Sequence, residues 1–239
     1  MKVLIIVPTY NEYDNLNKLV DGLFDLRLVD VQLLIVDDNS PDGTGQLADN
    51  MARYQNGLIH VLHRPEKMGL GSAYLEGFRW ALDRGFDVVC QMDADGSHQP
   101  ADLPKLLAAV EFADVSIGSR LVEGGKIIGW SKTRHCMSWC ANRMTRLVLD
   151  LETQDVTAGF RCMTRTAVDV LLAAGLKSVG YSFQEESLLV FERTGMLIEE
   201  IPVTFYDRRF GKSKLAPGDV LEFIRVLILL RQNKKRNGF

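Results

Sequence analysis

Residues 88–100, VVCQMDADGSHQP, join an apolar run directly to two aspartates that are one residue apart. The run at 88–92 is typical of a strand buried on both faces of a parallel sheet. Asp93 and Asp95 follow where that strand ends, and two carboxylates this close repel each other unless a cation lies between them. Because carboxylate oxygens suit Mg²⁺ or Mn²⁺, we predict that both side chains bind a divalent metal ion.

The same pattern, a short apolar run followed by an amphipathic stretch, recurs through the first half of the chain. Strand patterns occupy residues 2–7, 31–36, 58–62, 87–92 and 114–119. Helical patterns separate them, and this alternation is typical of a parallel sheet covered by helices on both faces. We therefore predict an α/β fold with a mostly parallel, Rossmann-like sheet sandwiched by helices.

The alternation weakens after residue 120. The sequence predicts a glycine-containing loop at 124–135, helices at 138–151, 166–175 and 183–195, a strand at 196–205 and an amphipathic helix at 220–230. No repeat and no linker rich in proline, glycine or serine interrupts the sequence. We therefore predict that residues 1–239 form a single domain with a helical C-terminal segment.

The composition is ordinary for a globular protein and does not suggest a nucleic-acid partner. The chain has 239 residues, 46% of them hydrophobic, and a net charge of −3, so no overall basic field attracts a polyanion. No apolar window reaches the roughly 20 residues of a membrane span, and we expect none. The four cysteines form no CxxC pair, which indicates a reducing compartment. We expect a cytoplasmic protein.

The unusual polar clusters all follow predicted strands. PTYNE (8–12), DDNSPDGT (37–44), DADGSHQP (93–100) and GSR (118–120) each begin where a strand pattern ends. Parallel sheets bind their ligands beyond the carboxyl ends of the strands. The sequence therefore predicts one binding site at this edge of the sheet.

Three other interpretations of these clusters stay open at this point. Asp95 or Ser97 has an alternative role as the cap of a helix that starts near Pro100. Residues 38–49 nearly match a calcium-binding EF-hand loop, although a strand rather than a helix leads into them. Residues 69–74 approach the dinucleotide-binding fingerprint of dehydrogenases but lack its third glycine.

Six segments, taken in order, resemble the nucleotide-sugar-dependent glycosyltransferases of the GT-A type. They are VPTYNE (7–12), VDDNSPDGT (36–44), MDADGSH (92–98), GSR (118–120), AGFR (158–161) and DRRFGKSKL (207–215). The likeness runs from residue 3 to about residue 230 and is greatest to the dolichyl-phosphate (polyprenyl-phosphate) mannosyltransferases. It implies a nucleotide-sugar-binding part at 1–120 and an acceptor-binding part at 121–239.

The resemblance also implies a role for each matching residue. The donor-binding positions are Pro8, Tyr10, Glu12, Val36, Asp38, Asp93, Ala94, Asp95 and Arg120. Asp93 and Asp95 match the ligands of the metal that bridges the donor phosphates, and Asp95, Arg120, Arg208 and Lys214 are the catalytic candidates. Arg134, Arg208 and Lys214 match residues that hold phosphate groups, including that of the acceptor. Some members carry a metal-binding glutamine where this chain has Ser97.

The resemblance further implies transfer of mannose from GDP-mannose, with inversion, to a polyprenyl phosphate. A phosphomonoester is mostly dianionic near pH 7, so no general base is needed, and the cations of 208–214 fit such an acceptor. Glu186 is the candidate for contacting sugar hydroxyls. Three alternatives stay open: another donor such as UDP-glucose, another acceptor such as a glycan, and an inactive regulatory subunit.

A lipid acceptor requires contact with a membrane. The predicted helix at 220–230 has a broad apolar face and is followed by the basic segment RQNKKR at 231–236. Such a helix can lie on an anionic membrane surface, or it can pack on its own domain. We expect a peripheral protein on the cytoplasmic face of a membrane, with an anchoring partner protein as a further expectation.

Overall fold

The structure is a computed structural model that describes residues 1–55, 57–176, 178, 180, 182–207 and 227–231. Its elements are β1 (Val3–Thr9), α1 (Tyr13–Phe24), β2 (Val31–Asp37), α2 (Thr44–Tyr54), β3 (Ile59–His63), α3 (Leu70–Asp83), β4 (Val88–Gln91), a 3₁₀ turn (Pro100–Asp102), α4 (Leu103–Ala109), β5 (Val115–Ser119), β6 (Lys126–Ile128), α5 (Lys132–Leu149), β7 (Arg161–Thr164), α6 (Arg165–Ala174), α7 (Phe183–Arg193), β8 (Ile198–Pro202) and β9 (Thr204–Tyr206). Residues 227–231 are also helical.

Seven strands form the central sheet in the order β3-β2-β1-β4-β7-β5-β8. All neighbouring pairs are parallel except those of β7, which runs antiparallel to both β4 and β5. The mostly parallel α/β fold predicted from the sequence is confirmed. The sequence did not predict β7, because it has only four residues and begins with a charged side chain, Arg161.

Helices cover both faces of the sheet, as predicted. Side chains of a strand point alternately to opposite faces, so Leu4 and Ile6 enter one core while Ile5 and Val7 enter the other. The first core contains residues of α3, α6 and α7, and the second contains residues of α1 and α4. Because both faces of these strands are buried, the strands are apolar along their whole length, which is the pattern seen in the sequence.

Two segments differ from the prediction. The expected loop at 124–135 contains β6 and the first turn of α5, which begins early because the Ser131 hydroxyl caps the Arg134 backbone N–H at 3.3 Å. The expected strand at 196–205 is two strands interrupted at Val203. The second of them, β9, leaves the main sheet and pairs in parallel with β6.

Of the predicted C-terminal helix, the structure describes only 227–231. Leu227 and Leu230 are buried in the first core, so these two residues pack on the protein itself, while Ile228 and Leu229 are about half exposed. Within the described ranges, no helix is both long enough and apolar enough to cross a membrane.

Helix α3 lies close to β1 because Gly77 faces Ile6. A Cβ atom at position 77 would be 2.8 Å from two carbon atoms of the Ile6 side chain, which is fully buried. That distance is shorter than any ordinary carbon–carbon contact, so a larger residue forces the helix away from the sheet.

We expect Gly77→Val to lower the free energy of unfolding by about 2 kcal/mol, because overpacking a rigid core costs about 1–3 kcal/mol. Chemical denaturation followed by circular dichroism measures this change. Arg79→Val is the control, since it places the same β-branched side chain on the exposed face of the same helix. A loss for Gly77→Val no larger than that for Arg79→Val would contradict the role given to the contact with Ile6, because valine has a higher helix propensity than glycine.

Candidate active site

The carboxyl ends of β1 and β2 bring the predicted donor-binding residues together. Pro8 and Val36 are directly paired in the sheet, and Tyr10 and Glu12 continue from the end of β1. The Glu12 carboxylate accepts a hydrogen bond from Asn15 at 2.7 Å, while its backbone N–H donates to the Thr44 hydroxyl at 3.0 Å. The ends of the two strands are thereby fixed to the start of α2.

The two aspartates after β2 have different surroundings. Asp37 accepts hydrogen bonds from the hydroxyls of Thr9 and Ser40, at 3.1 and 2.6 Å. Asp38 accepts from the Arg64 guanidinium at 2.8 Å, and both of these residues are largely buried. Burial raises the pKa of Asp38, and the opposing charge of Arg64 does not fully offset this effect. No sequence motif indicated Arg64.

The loop at 37–44 is a helix entry and not a calcium loop. The Asp42 carboxylate accepts hydrogen bonds from the backbone N–H and the hydroxyl of Thr44, at 3.0 and 2.6 Å, where α2 begins. The segment is entered by strand β2, whereas an EF-hand loop is entered by a helix. The EF-hand alternative is therefore wrong.

Asp93 is positioned by two ring side chains. Its backbone N–H donates to His98 Nδ1 at 3.0 Å, and the Tyr74 hydroxyl lies 3.4 Å from its carboxylate. Because Nδ1 accepts a hydrogen bond, the neutral His98 ring carries its proton on Nε2, 3.9 Å from Asp93 Oδ2. In this tautomer His98 orients the backbone of Asp93. Burial raises the pKa of Tyr74, which keeps its hydroxyl protonated.

Asp95 stabilises the turn that follows Asp93. Its carboxylate accepts a hydrogen bond from the backbone N–H of Ser97 at 3.0 Å. The 3₁₀ turn that begins at Pro100 has Gln99 at its N-cap and no side-chain cap, so neither Asp95 nor Ser97 caps a helix there. The capping alternative left open by the sequence is wrong.

A buried amide lies behind the aspartate pair. The Cβ position of Gly159 is 3.5 Å from Gln184 Nε2 and 3.9 Å from Asp93 Oδ2, so Gly159 lies between these two side chains. Gln184 is 5% exposed, and its Oε1 has no hydrogen-bond partner among the described residues. A buried acceptor without a partner is costly, which indicates that a ligand group or a water donates to it. Sequence motifs did not point to Gln184.

The donor atoms of the pair fit a hard divalent cation. Asp93 and Asp95 supply carboxylate oxygens at the end of β4, and the Asp93 side chain is 36% exposed. In the part of the chain that the structure describes, no group of three or more His, Cys, Asp or Glu side chains could hold a metal. Two protein carboxylates with other positions left for water and phosphate oxygens are typical of Mg²⁺ sites.

Arg120 is held rigidly at the end of β5. Its Nε and Nη2 donate to the two oxygens of Asp155 at 2.7 and 2.5 Å, and Nη2 also donates to the Thr157 hydroxyl at 2.6 Å. Burial lowers the pKa of Arg120, but the Asp155 carboxylate more than offsets this, and Asp93 adds to the effect. The guanidinium therefore stays charged within the field of Asp93. Asp155 lies in a loop without a motif, and sequence reasoning missed it.

The backbone beside Arg120 is packed against a glycine of the following loop. A Cβ atom at Gly125 would be 2.7 Å from the carbonyl carbon of Arg120 and 2.8 Å from the carbonyl oxygen of Ser119. The Arg120 guanidinium also lies 5.7 Å from the centre of the Trp130 ring and 5.2 Å from that of Phe205. Phe205 of β9 and Trp130, which follows β6, thus both lie close to the Arg120 guanidinium.

Arg134 also contacts Trp130. Its guanidinium is 4.2 Å from the ring centre and donates to Asp207 at 2.6 Å. About a quarter of the side chain is exposed. Arg120 and Arg134 therefore contact the same indole ring. Arg208 and Lys214, the other predicted phosphate-binding residues, lie outside the described residues.

Glu186 is in the first turn of α7 and accepts a hydrogen bond from the Ser178 backbone N–H at 2.7 Å. Its neighbour Glu185 is buried instead, and desolvation raises the pKa of Glu185 to about 7. Arg161, also fully buried, donates to the carbonyls of Ala158 and Gln184 at 2.8 and 3.0 Å. Burial lowers the pKa of Arg161 to about 10. Arg161 and Glu185 thus lie in the interior, while Glu186 is half-buried.

Residues 4–172 match the family model described as glycosyl transferase family 2. This match covers more than half of the chain, which therefore belongs to that family and is a glycosyltransferase. Two relatives are similar along almost the whole chain. An undecaprenyl-phosphate mannosyltransferase of Micrococcus luteus is 45% identical over 94% of this chain and 91% of its own length. A polyprenol monophosphomannose synthase of Mycolicibacterium smegmatis is 42% identical over 92% and 83%.

Solved structures agree on the fold. Glucosyl-3-phosphoglycerate synthase from Mycobacterium tuberculosis, in complex with Mn²⁺, UDP-glucose and phosphoglyceric acid, has a TM-score of 0.68 and covers 97% of this chain and 80% of its own. The two sequences are only 19% identical, so the likeness shows the architecture alone. The chain has the GT-A fold expected from its motifs, and the dehydrogenase alternative is wrong.

We expect Asp155→Asn to lower the free energy of unfolding by about 3 kcal/mol, because breaking a buried ion pair leaves its partner's charge uncompensated. Asp207→Asn is the matched control. It breaks the more exposed pair with Arg134 and should cost less than about 1 kcal/mol. Urea denaturation of both variants measures the difference, and a cost for Asp155→Asn no larger than that of the control would contradict the role given to the buried pair.

Proposed function

We propose that this glycosyltransferase moves mannose from GDP-mannose to a polyprenyl phosphate in a reaction that requires a divalent metal ion. An undecaprenyl-phosphate mannosyltransferase and a polyprenol monophosphomannose synthase are 45% and 42% identical to this chain over nearly its whole length. The observation that carries the proposal is the Asp93–Asp95 pair at the end of β4, with Arg120 fixed in the field of Asp93. This site can hold a diphosphate between a metal ion and a permanent cation.

The donor is proposed to lie along the carboxyl ends of β1, β2 and β4. Pro8, Tyr10 and Glu12 contact the nucleoside from one strand, and Val36 and Asp38 read the base from the next. A carboxylate is suited to guanine, whose amino group is a hydrogen-bond donor. Ala94 lies between Asp93 and Asp95 and is nearly fully buried, and we assign it to the donor-binding site with them. The choice of GDP-mannose rests on the resemblance of the motifs.

Asp93 and Asp95 would hold Mg²⁺ or Mn²⁺. When bound, such an ion stabilises the negative charge that develops on the departing diphosphate. The protein contributes rigidity: His98 and Tyr74 fix Asp93, and Asp155 fixes Arg120. Groups that are already oriented stabilise developing charge without reorganising during the reaction. Arg120 is therefore proposed to contact the donor phosphates.

The acceptor is proposed to need cations and no general base. A phosphate monoester loses its second proton near pH 6, so its oxygen is already a nucleophile at neutral pH. Arg134 lies beside Arg120 on Trp130, and we assign it to the acceptor phosphate together with Arg208 and Lys214. In-line attack on the anomeric carbon would invert its configuration. Glu186 is proposed to bind sugar hydroxyls, and residues 121–239 would form the acceptor-binding part of a single domain.

Asp95→Asn should reduce transfer by at least about 100-fold, because removing one carboxylate charge weakens a metal site that contributes several kcal/mol. The assay follows labelled mannose from GDP-mannose into the organic phase with a polyprenyl phosphate and Mg²⁺ or Mn²⁺. Asp83→Asn is the control, since it makes the same chemical change on the exposed end of α3. Transfer that persists in EDTA, or label that enters the organic phase only from UDP-glucose, would contradict the proposal.

The rate should rise with pH through the second pKa of the acceptor phosphate, about 6, and then stay level, because only the dianion attacks. Turnover measured between pH 5 and 8 with saturating donor tests this expectation. A polyprenyl phosphonate, whose second pKa is higher, should move the inflection to higher pH. An inflection at the same pH with both acceptors would instead come from a titrating group of the enzyme. That result would contradict the proposal that the acceptor needs no general base.

A further inference from the structure

Helix α5 has an unusual distribution of side chains. The side that faces the protein carries the buried residues Asn142, Thr145 and Leu149, two of which are polar. The opposite side is solvent-exposed and apolar: Met137 is 56% exposed and Leu147 is 70% exposed. A helix on the surface of a globular protein normally has the reverse arrangement, with its apolar stripe toward the core.

The exposed apolar residues form one continuous stripe. They are Cys136, Met137, Cys140, Met144 and Leu147. Positions three and four apart lie on the same side of a helix, so these residues follow one another along its length. Trp139, 58% exposed, lies at the edge of the stripe, with the Arg143 guanidinium 5.9 Å from its ring centre. We call this surface the α5 stripe.

The segment that contains α5 is rich in cations, although Asp150 follows the helix and Asp207 pairs with Arg134. Residues 124–149 contain five lysines and arginines and no aspartate or glutamate, although the whole chain has a net charge of −3. Lys132, Arg143 and Arg146 all belong to α5 itself. Apolar side chains bordered by cations, with tryptophan at the margin, are the features by which a helix lies in the interface of an anionic bilayer.

The α5 stripe is also continuous with the proposed acceptor site. A cavity of about 360 Å³ is lined by Leu121, Ile127, His135, Cys136, Ser138 and Trp139. His135 contacts Trp130, with ring centres 5.6 Å apart, and Trp130 contacts both Arg120 and Arg134. The cavity thus joins the exposed apolar surface to the cations that we assign to phosphate groups.

From these observations we infer that the α5 stripe binds the surface of an anionic lipid bilayer and presents the cavity, and Arg134 beyond it, to a lipid phosphate in that bilayer. The inference rests on the proposed function for the identity of the lipid phosphate, but not for membrane binding itself. It places the membrane contact on α5 and not on the helix predicted at 220–230. The stripe would enter the headgroup region, where Lys132 and Arg143 meet anionic lipids.

The first experiment measures binding of the full chain to vesicles that contain no acceptor. Met137→Glu combined with Leu147→Glu should weaken binding to phosphatidylglycerol-containing vesicles by about tenfold or more, since two anions then face an anionic surface. Val29→Glu combined with Phe112→Glu is the matched control, because it replaces two similarly exposed apolar residues outside α5. Unchanged vesicle binding by the α5 double variant would overturn the inference.

The second experiment locates the contact. Fluorescence of the three tryptophans is recorded with vesicles of brominated phosphatidylglycerol, and Trp139→Phe should remove most of the quenching. Quenching that persists in this variant places the membrane contact elsewhere and overturns the inference. A second outcome would also overturn the inference: light scattering shows a lower particle mass for the α5 double variant than for the wild type, while vesicle binding stays intact. The stripe would then bind a second copy of the chain.

A third measurement separates this inference from the proposed function. The α5 double variant should transfer mannose to a short, water-soluble isoprenyl phosphate at the wild-type rate, and to a long-chain polyprenyl phosphate in vesicles at about one-tenth of that rate or less. Equal transfer of mannose to both acceptors would overturn the inference alone. Absence of transfer by the wild type to either acceptor, with vesicle binding retained, would overturn the proposed function alone.

Discussion

Strand β7 holds the site together, because it hydrogen-bonds to β4 on one side and to β5 on the other. β4 ends at the aspartate pair, and β5 ends at Arg120. Without the intervening strand these two ends would lie next to each other, a single strand spacing of about 5 Å apart. A chain segment from the second half of the sequence therefore sets the separation between the aspartate pair and Arg120.

Buried arginines, each fixed by a carboxylate, recur around this edge of the sheet. Arg64 is paired with Asp38 and Arg120 with Asp155, while the more exposed Arg134 is paired with Asp207. In each pair the carboxylate offsets the positive charge of the arginine and fixes the orientation of its guanidinium. The pairing therefore holds the guanidinium groups in fixed orientations and reduces the repulsion between them in the unliganded protein.

The sequence was sufficient for features that local patterns encode. Strand β4 and the position of Asp93 follow from an apolar run and the polar residues after it. The structure brings Pro8 and Val36 together as the pattern required. Long-range pairing is not encoded in this way: β7 is too short to show a period, and Asp155 gains its role only through contact with Arg120, 35 residues away in the chain. Arg208 and Lys214 remain predictions.

The packing of Gly125 against the Arg120 backbone has a consequence for engineering the enzyme's heat resistance. Its φ is not in the left-handed region, so the position would pass the usual screen for replacing glycine by alanine. Such replacements restrict the denatured ensemble and typically gain about 0.4–1 kcal/mol. Here the added methyl group would collide with main-chain atoms that cannot rotate away. The substitution would therefore displace the segment that carries Arg120, and a screen based on backbone torsions alone would select a harmful change.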